Sequence, residues 1–134
     1  MEDERRIMGE SIQSFEQLRV YQAACALDEA IFLETKKWPR EEMYSLIDQV
    51  RRASRSVGAN LAESWAKRRY PAHFLSKLTD ADGELQETMH WLGRAKTYGY
   101  LAGDRHSVLE SKCHAIGGML GKMIRQPDGF LLKT

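Results

Sequence analysis

No stretch of this chain approaches the roughly 20 consecutive apolar residues that a membrane-spanning helix requires. Nor does any segment alternate β-branched with polar residues as a half-buried strand does. Prolines number three and cysteines two, so long helices are seldom interrupted and a disulfide-stapled secreted scaffold is not indicated. Charge of either sign is not in excess: 20 lysines and arginines face 19 aspartates and glutamates, a formal net charge of +1. A general attraction to polyanions is therefore not expected, and any such role has to come from a local patch. The opening MEDERRIMGES carries four acids and two arginines with no apolar run, unlike a secretory signal or a membrane anchor. These absences indicate a cytoplasmic, all-α protein in which Cys25 and Cys113 serve as small, reduced core residues on separate helices. A length of 134 residues suits one domain with a single core.

What is present is organised around Arg40 to Tyr70. At 100° per residue, Met43, Leu46, Ile47, Val50, Ala53, Val57, Leu61 and Trp65 fall on one arc, the signature of a helix facing a core. The opposite side combines Arg51, Arg52, Arg55 and Arg69 with Gly58, Ala59, Ala62 and Ala66, which are small enough to let another backbone approach. From Arg51 to Arg69 six basic residues (Arg51, Arg52, Arg55, Lys67, Arg68, Arg69) stand against one acid, Glu63. Such a cluster is the footprint of a phosphate-backbone binder; a solvated face, which is what most charge runs are, or arginines paired with carboxylates of another helix also accounts for it.

Taken in order, residues 1–13 read as a flexible polar tail, 14–126 as the helical domain and 127–134 as a C-terminal tail. Ser14 is placed to cap a helix from Phe15 to Lys37, which Trp38-Pro39 ends. Glu41 and Glu42 suit the first turn of the second helix, and Pro71 that of a third running to Tyr98, with Gly99 as terminator. Asp104 can cap a fourth helix, which Pro127 and Gly129 stop. Short connections give one antiparallel up-down-up-down four-helix bundle. Asp82 lands on the core arc of the third helix and needs Arg52, Arg55 or Asn60 of the second helix as its partner, with Asn60 and Asp82 read as the buried polar residues, unless a local kink exposes Asp82. On the far side Asp80, Glu84, Glu87, Trp91 and Tyr98 line up. Exposed aromatics among acids seek cover, either from the arginine-bearing, small-residue face of a neighbouring copy, giving a heterologous contact that closes a ring, or from the tail or the fourth helix.

Catalytic chemistry is scarce. Asp80-Ala81-Asp82-Gly83 echoes part of a calcium loop, but the outer ligand positions fall on Leu78 and Met89. His73, His90, His106 and His114 have no ligand partner on a shared face, and Glu87 with His90 forms a single Glu-x-x-His where a diiron bundle needs two. A phosphate-cradling loop, a serine elbow or a Cys-His pair with an orienting third residue is not found. The reading is a non-enzymatic protein with no metal and no cofactor.

FEQLRVYQAA at Phe15 to Ala24, WPREEMYSLIDQVRRASRSVGANLAES at Trp38 to Ser64 and KLTDADGELQETMHWLGRAKTYGYL at Lys77 to Leu101 resemble the four-helix-bundle proteins encoded by intervening sequences in bacterial large-subunit ribosomal RNA genes. Ser64 departs from the family's usual glycine, a change between two small residues. The resemblance implies a ring-shaped homopentamer and kinship with the accessory variability proteins of diversity-generating retroelements, which bind nucleic acid and a reverse transcriptase. Two functions follow as expectations: binding of nucleic acid, structured RNA first, through the basic residues above, or service as a protein-binding adaptor of a reverse transcriptase.

Overall fold

The computed structural model describes residues 12–132; the expected flexible tail, except for its last two residues, and Lys133 and Thr134 lie outside them. Four α-helices follow one another, α1 (Arg19–Thr35), α2 (Leu46–Ala66), α3 (Pro71–Thr97) and α4 (Gly103–Arg125), and among the described residues there is no strand. The end of α1 meets the start of α2 through Thr35 and Arg51, the end of α2 meets the start of α3 through Glu63 and Lys77, and the end of α1 meets the start of α4 through Glu34 and Arg105, so the bundle runs up-down-up-down. No helix among the described residues is long and apolar enough to cross a membrane.

Each helix contributes a stripe at helical spacing to one core: Val20, Ala24, Leu27 and Ile31 from α1; Ile47, Val50, Val57 and Leu61 from α2; Phe74, Leu78, Leu85 and Leu92 from α3; Leu109, Cys113, Ile116 and Leu120 from α4. Removing these side chains from water is the main stabilising term. After α4 the chain makes one 3₁₀ turn and folds back. Phe130 stacks on Phe74 with ring centroids 6.5 Å apart, and the Leu132 amide donates to the Arg68 carbonyl at 3.2 Å. The apolar tail therefore docks on its own bundle.

Local chemistry sets the helix ends, in places differently from the sequence expectation. Phe15–Gln17 is a 3₁₀ turn preceded by an extended Ser14 that makes no side-chain cap, and extended Leu18 delays α1 to Arg19. Arg40–Glu42 is likewise a separate turn following Pro39. Ser45, at φ −127° and ψ −100°, leaves helical geometry, so α2 starts only at Leu46 and Met43 is exposed instead of joining the core arc. Asp104 lies within the first turn of α4, where the dipole favours it, while Ala102 occupies the cap position. Gly99 does end α3: at φ +83° it lets its own amide reach Lys96 O at 3.1 Å and the Tyr100 amide reach Ala95 O at 2.9 Å, the paired bonds of a Schellman motif.

The buried polar residues are Glu34, Thr35, Ser54, Ser64 and Thr88, not Asn60 and Asp82, both of which are half-buried. The four hydroxyls return to carbonyls of their own helices, and Glu34 Oε1 accepts from Arg105 Nε at 3.1 Å. Asn60 similarly donates to Ser56 O. The buried stripe of α3 passes through Ala81 and Leu85, which leaves Asp82 on the shoulder opposite Glu84 and away from α2. None of the expected partners Arg52, Arg55 or Asn60 bonds to it.

The cysteines are both free but differ in setting. Cys113 is fully buried, and burial, with the charge of Glu110 adding to it, pushes its thiol from 9.0 up to about 11. Cys25, expected in the core, is only half-buried, because it shares the flank of α1 with Tyr21 rather than the stripe through Ala24. The thiolate is the reactive form, so at pH 8 iodoacetamide is expected to label Cys25 alone, with Cys113 reacting only after unfolding; mass spectrometry of the intact chain counts the adducts. Between pH 9 and 11 the unfolded chain releases the Cys113 proton more readily than the folded one, so this contribution to stability declines as pH rises.

Candidate nucleic-acid interface

The six basic residues singled out in the sequence do not form one face. Arg51 is tied to α1, its Nε donating to Thr35 Oγ1 at 2.8 Å and its guanidinium lying 4.8 Å from the Phe32 ring centroid. Arg55 stands over the same ring at 5.9 Å and opposes the rise that burial imposes on the Asp28 carboxyl. Arg52 points to the other edge of α2, exposed and 3.7 Å from Asp48. Its charge also lowers the pKa of Glu84 across the seam with α3, although burial, Glu87 and Asp80 outweigh it and hold that carboxyl above its usual range.

Lys67, Arg68 and Arg69 lie about 24 Å along the helix axis from Arg51, at 1.5 Å per residue. Here α2 ends, Tyr70 turns the chain and Pro71 opens α3. Arg68 is the anchored member: it stacks 3.5 Å over Trp65, its Nε donates to Trp65 O at 2.9 Å, and desolvation lowers its pKa. Trp65 is therefore half-buried beneath a cation, not enclosed in the core as its arc suggested. Lys67 and Arg69 are exposed, and among the described residues no carboxylate lies within ion-pair distance of either. Tyr70 and His73 form an exposed ring pair beside them, centroids 5.6 Å apart. The antiparallel topology brings the last turn of α4, with Lys122 and Arg125, to the same end of the bundle. The sequence reading missed these two cations; bundle topology was the signal that could have placed them there.

The expected subunit-contact residues also divide. Gly58 is buried inside the monomer, where a Cβ would meet Tyr21 Cε1 at 3.5 Å, so it serves the α1–α2 seam. Ala59 and Ala66 are exposed and Ala62 half-buried, forming an outward ridge flanked by Arg52 and Arg55. On α3, Asp80, Glu84 and Glu87 join Asn60 in lining a groove of about 340 Å³ against α2. Trp91 is half-buried, its Nε1 donating to Glu87 Oε2 at 3.3 Å, and it faces the start of α2 instead of the tail. Tyr98 is 53% exposed with Arg94 5.0 Å from its ring centroid. Ridge and acidic groove lie side by side on neighbouring helices. Among the described residues no three His, Cys, Asp or Glu side chains gather as a metal site requires.

Compared with known families, residues 16–122 match the model described as 23S rRNA-intervening sequence protein. Among curated proteins none matches the chain.

Proposed function

Since the chain belongs to the 23S rRNA-intervening sequence protein family, we propose that it binds structured RNA without catalysing a reaction, chiefly by phosphate contacts from the end of the bundle where α2 meets α3. The observation that carries this reading is the grouping of Lys67, Arg68 and Arg69 at that corner, two of them with no carboxylate partner among the described residues. Arg68 is pre-positioned on Trp65, and Lys122 and Arg125 stand at the same end. A cation already stacked in place, as Arg68 is on Trp65, loses little freedom on meeting a phosphate, while Tyr70 and His73 offer ring faces for unpaired bases. Arg51 and Arg55, engaged with α1, play a smaller part.

Self-association into a ring belongs to the same proposal. It seats the ridge of Ala59, Ala62 and Ala66, with Arg52 and Arg55, against the mutually repelling carboxylates Asp80, Glu84 and Glu87 of the next copy. Such a contact is heterologous and closes when its rotation does. A ring multiplies the basic corner and raises avidity without new contacts. Light scattering of the purified protein is expected to return several times the 15.4 kDa chain mass; a monomer mass at working concentration removes the ring.

The test of RNA binding is a titration of a labelled RNA hairpin at several salt concentrations, with wild type and the triple variant K67A/R68A/R69A. A steep salt dependence that the variant flattens supports the reading. Binding indifferent to salt, or unchanged in the variant, overturns it.

A further inference from the structure

At the other end of the bundle, the start of α2 and the end of α3 border an open cleft of about 500 Å³ lined by Tyr44, Trp91, Tyr98 and Tyr100, with Glu42 among them. The Glu42 carboxylate is held in a fixed attitude: Ser45 Oγ donates to Oε1 at 2.6 Å and Tyr100 Oη to Oε2 at 2.9 Å. These bonds, Ser45 first, lower its pKa and keep it ionised. Yet among the described residues no lysine or arginine comes within ion-pair distance of it. Tyr44, 94% exposed, stands in solvent at the rim. Arg94 already lies 5.0 Å from the Tyr98 ring centroid, but an ionised carboxylate with open lone pairs, set beside the Tyr44, Trp91 and Tyr100 rings and without an ion-pair partner of its own, is complementary to an organic cation.

We propose that this cleft binds an arginine or lysine side chain presented by a segment of a partner protein. A lone cation fills only a corner of such a volume. Ser45, Leu46 and Gln49, along the same wall, offer polar and apolar contacts to the residues on either side of it, and the size falls within the range of ligand-binding pockets. Nucleic acid is the wrong class here, since Glu42 repels phosphate. A second copy is the poorer occupant as well: in the ring proposed above its Arg52 and Arg55 are taken by Asp80, Glu84 and Glu87, while its unpaired Lys67 and Arg69 stand at the opposite pole and could meet the cleft only end to end.

The probe is the peptide acetyl-Gly-Arg-Gly-amide, titrated into the ¹⁵N-labelled full chain, with the neutral isostere carrying citrulline in place of arginine as control. Saturable shifts are expected at the Trp91 indole N–H and the amides of residues 42–46 at about millimolar peptide, the strength of one cation–π contact joined to a charge-assisted hydrogen bond. The citrulline peptide should leave them in place. Glu42→Gln, a substitution at a half-exposed site, is expected to weaken binding at least about tenfold, and Tyr100→Phe, which removes one bond to the carboxylate, by a smaller factor; K67A/R68A/R69A should bind the peptide as wild type does. Equal shifts with citrulline, or undiminished affinity in E42Q with unchanged helical circular dichroism, overturn the proposal. A sedimentation coefficient that E42Q lowers overturns it too, by making a second copy the occupant.

Discussion

Phe74→Ala is expected to cost about 3–5 kcal/mol of unfolding free energy, read from the shift of the urea midpoint. Phe74 is wholly enclosed at the first turn of α3, so its truncation removes apolar contact and leaves a void that rigid helix backbones cannot close. Because a domain of this size holds only about 5–15 kcal/mol in all, one substitution removes a large share. The loss also has a local signature. Phe130 rests on the Phe74 ring, and without it the tail keeps the partly buried Leu131 against the core and the Leu132 amide bond to Arg68 O. Limited proteolysis is expected to trim the C-terminal residues of the variant under conditions that leave wild type whole. Resistance of the tail together with a full loss of stability would mean that the tail has a further anchor.

The triple variant K67A/R68A/R69A is expected to lower RNA affinity about a hundredfold near physiological salt and to reduce the slope of log K against log salt by about 2–3, one counterion per lost phosphate contact. Stability should change much less, since Lys67 and Arg69 touch solvent and only Arg68, stacked on Trp65, has packing to lose. That asymmetry separates the two large effects: Phe74→Ala acts on the fold and only indirectly on the corner, the triple variant on the corner alone. Single substitutions should rank Lys67 and Arg69 by access, and Arg68→Ala should also free the Trp65 ring.

Helices announced themselves in the sequence where local chemistry decides. Pro71 at the start of α3 and Gly99 at its end act through their own backbone preferences, so reading them needs no knowledge of neighbours. The match over residues 16–122 bears out the resemblance read from the Arg51-Arg52 to Glu63 run. A helical wheel, by contrast, gives an angle and not what stands there. Gly58 looked outward with the alanines, yet its small side admits Tyr21 of its own chain. Arg51 looked like a free cation, yet Thr35 holds it. The periodicity puts Met43 on the core arc because it runs past Pro39 and Ser45 without registering that the turn between them is not α-helical. Juxtapositions across the chain were out of reach: Glu42 and Tyr100 are separated by 58 residues, and Lys122 and Arg125 share an end with Arg69 only once the bundle is closed.

The three tryptophans of the chain occupy three different stations. Trp38 is 4% exposed and its indole N–H has no acceptor among the described residues, Trp65 lies under a guanidinium at the basic corner, and Trp91 looks into the aromatic cleft. The molecule thereby carries a built-in set of fluorophores: a buried emitter behind the Tyr100 wall of the cleft, its ring centroid 6.3 Å from that of Tyr100, a second in the cleft itself, and a third at the opposite, basic end. Selective quenching of single-tryptophan variants can then assign any bound molecule to its end of the bundle without an attached dye.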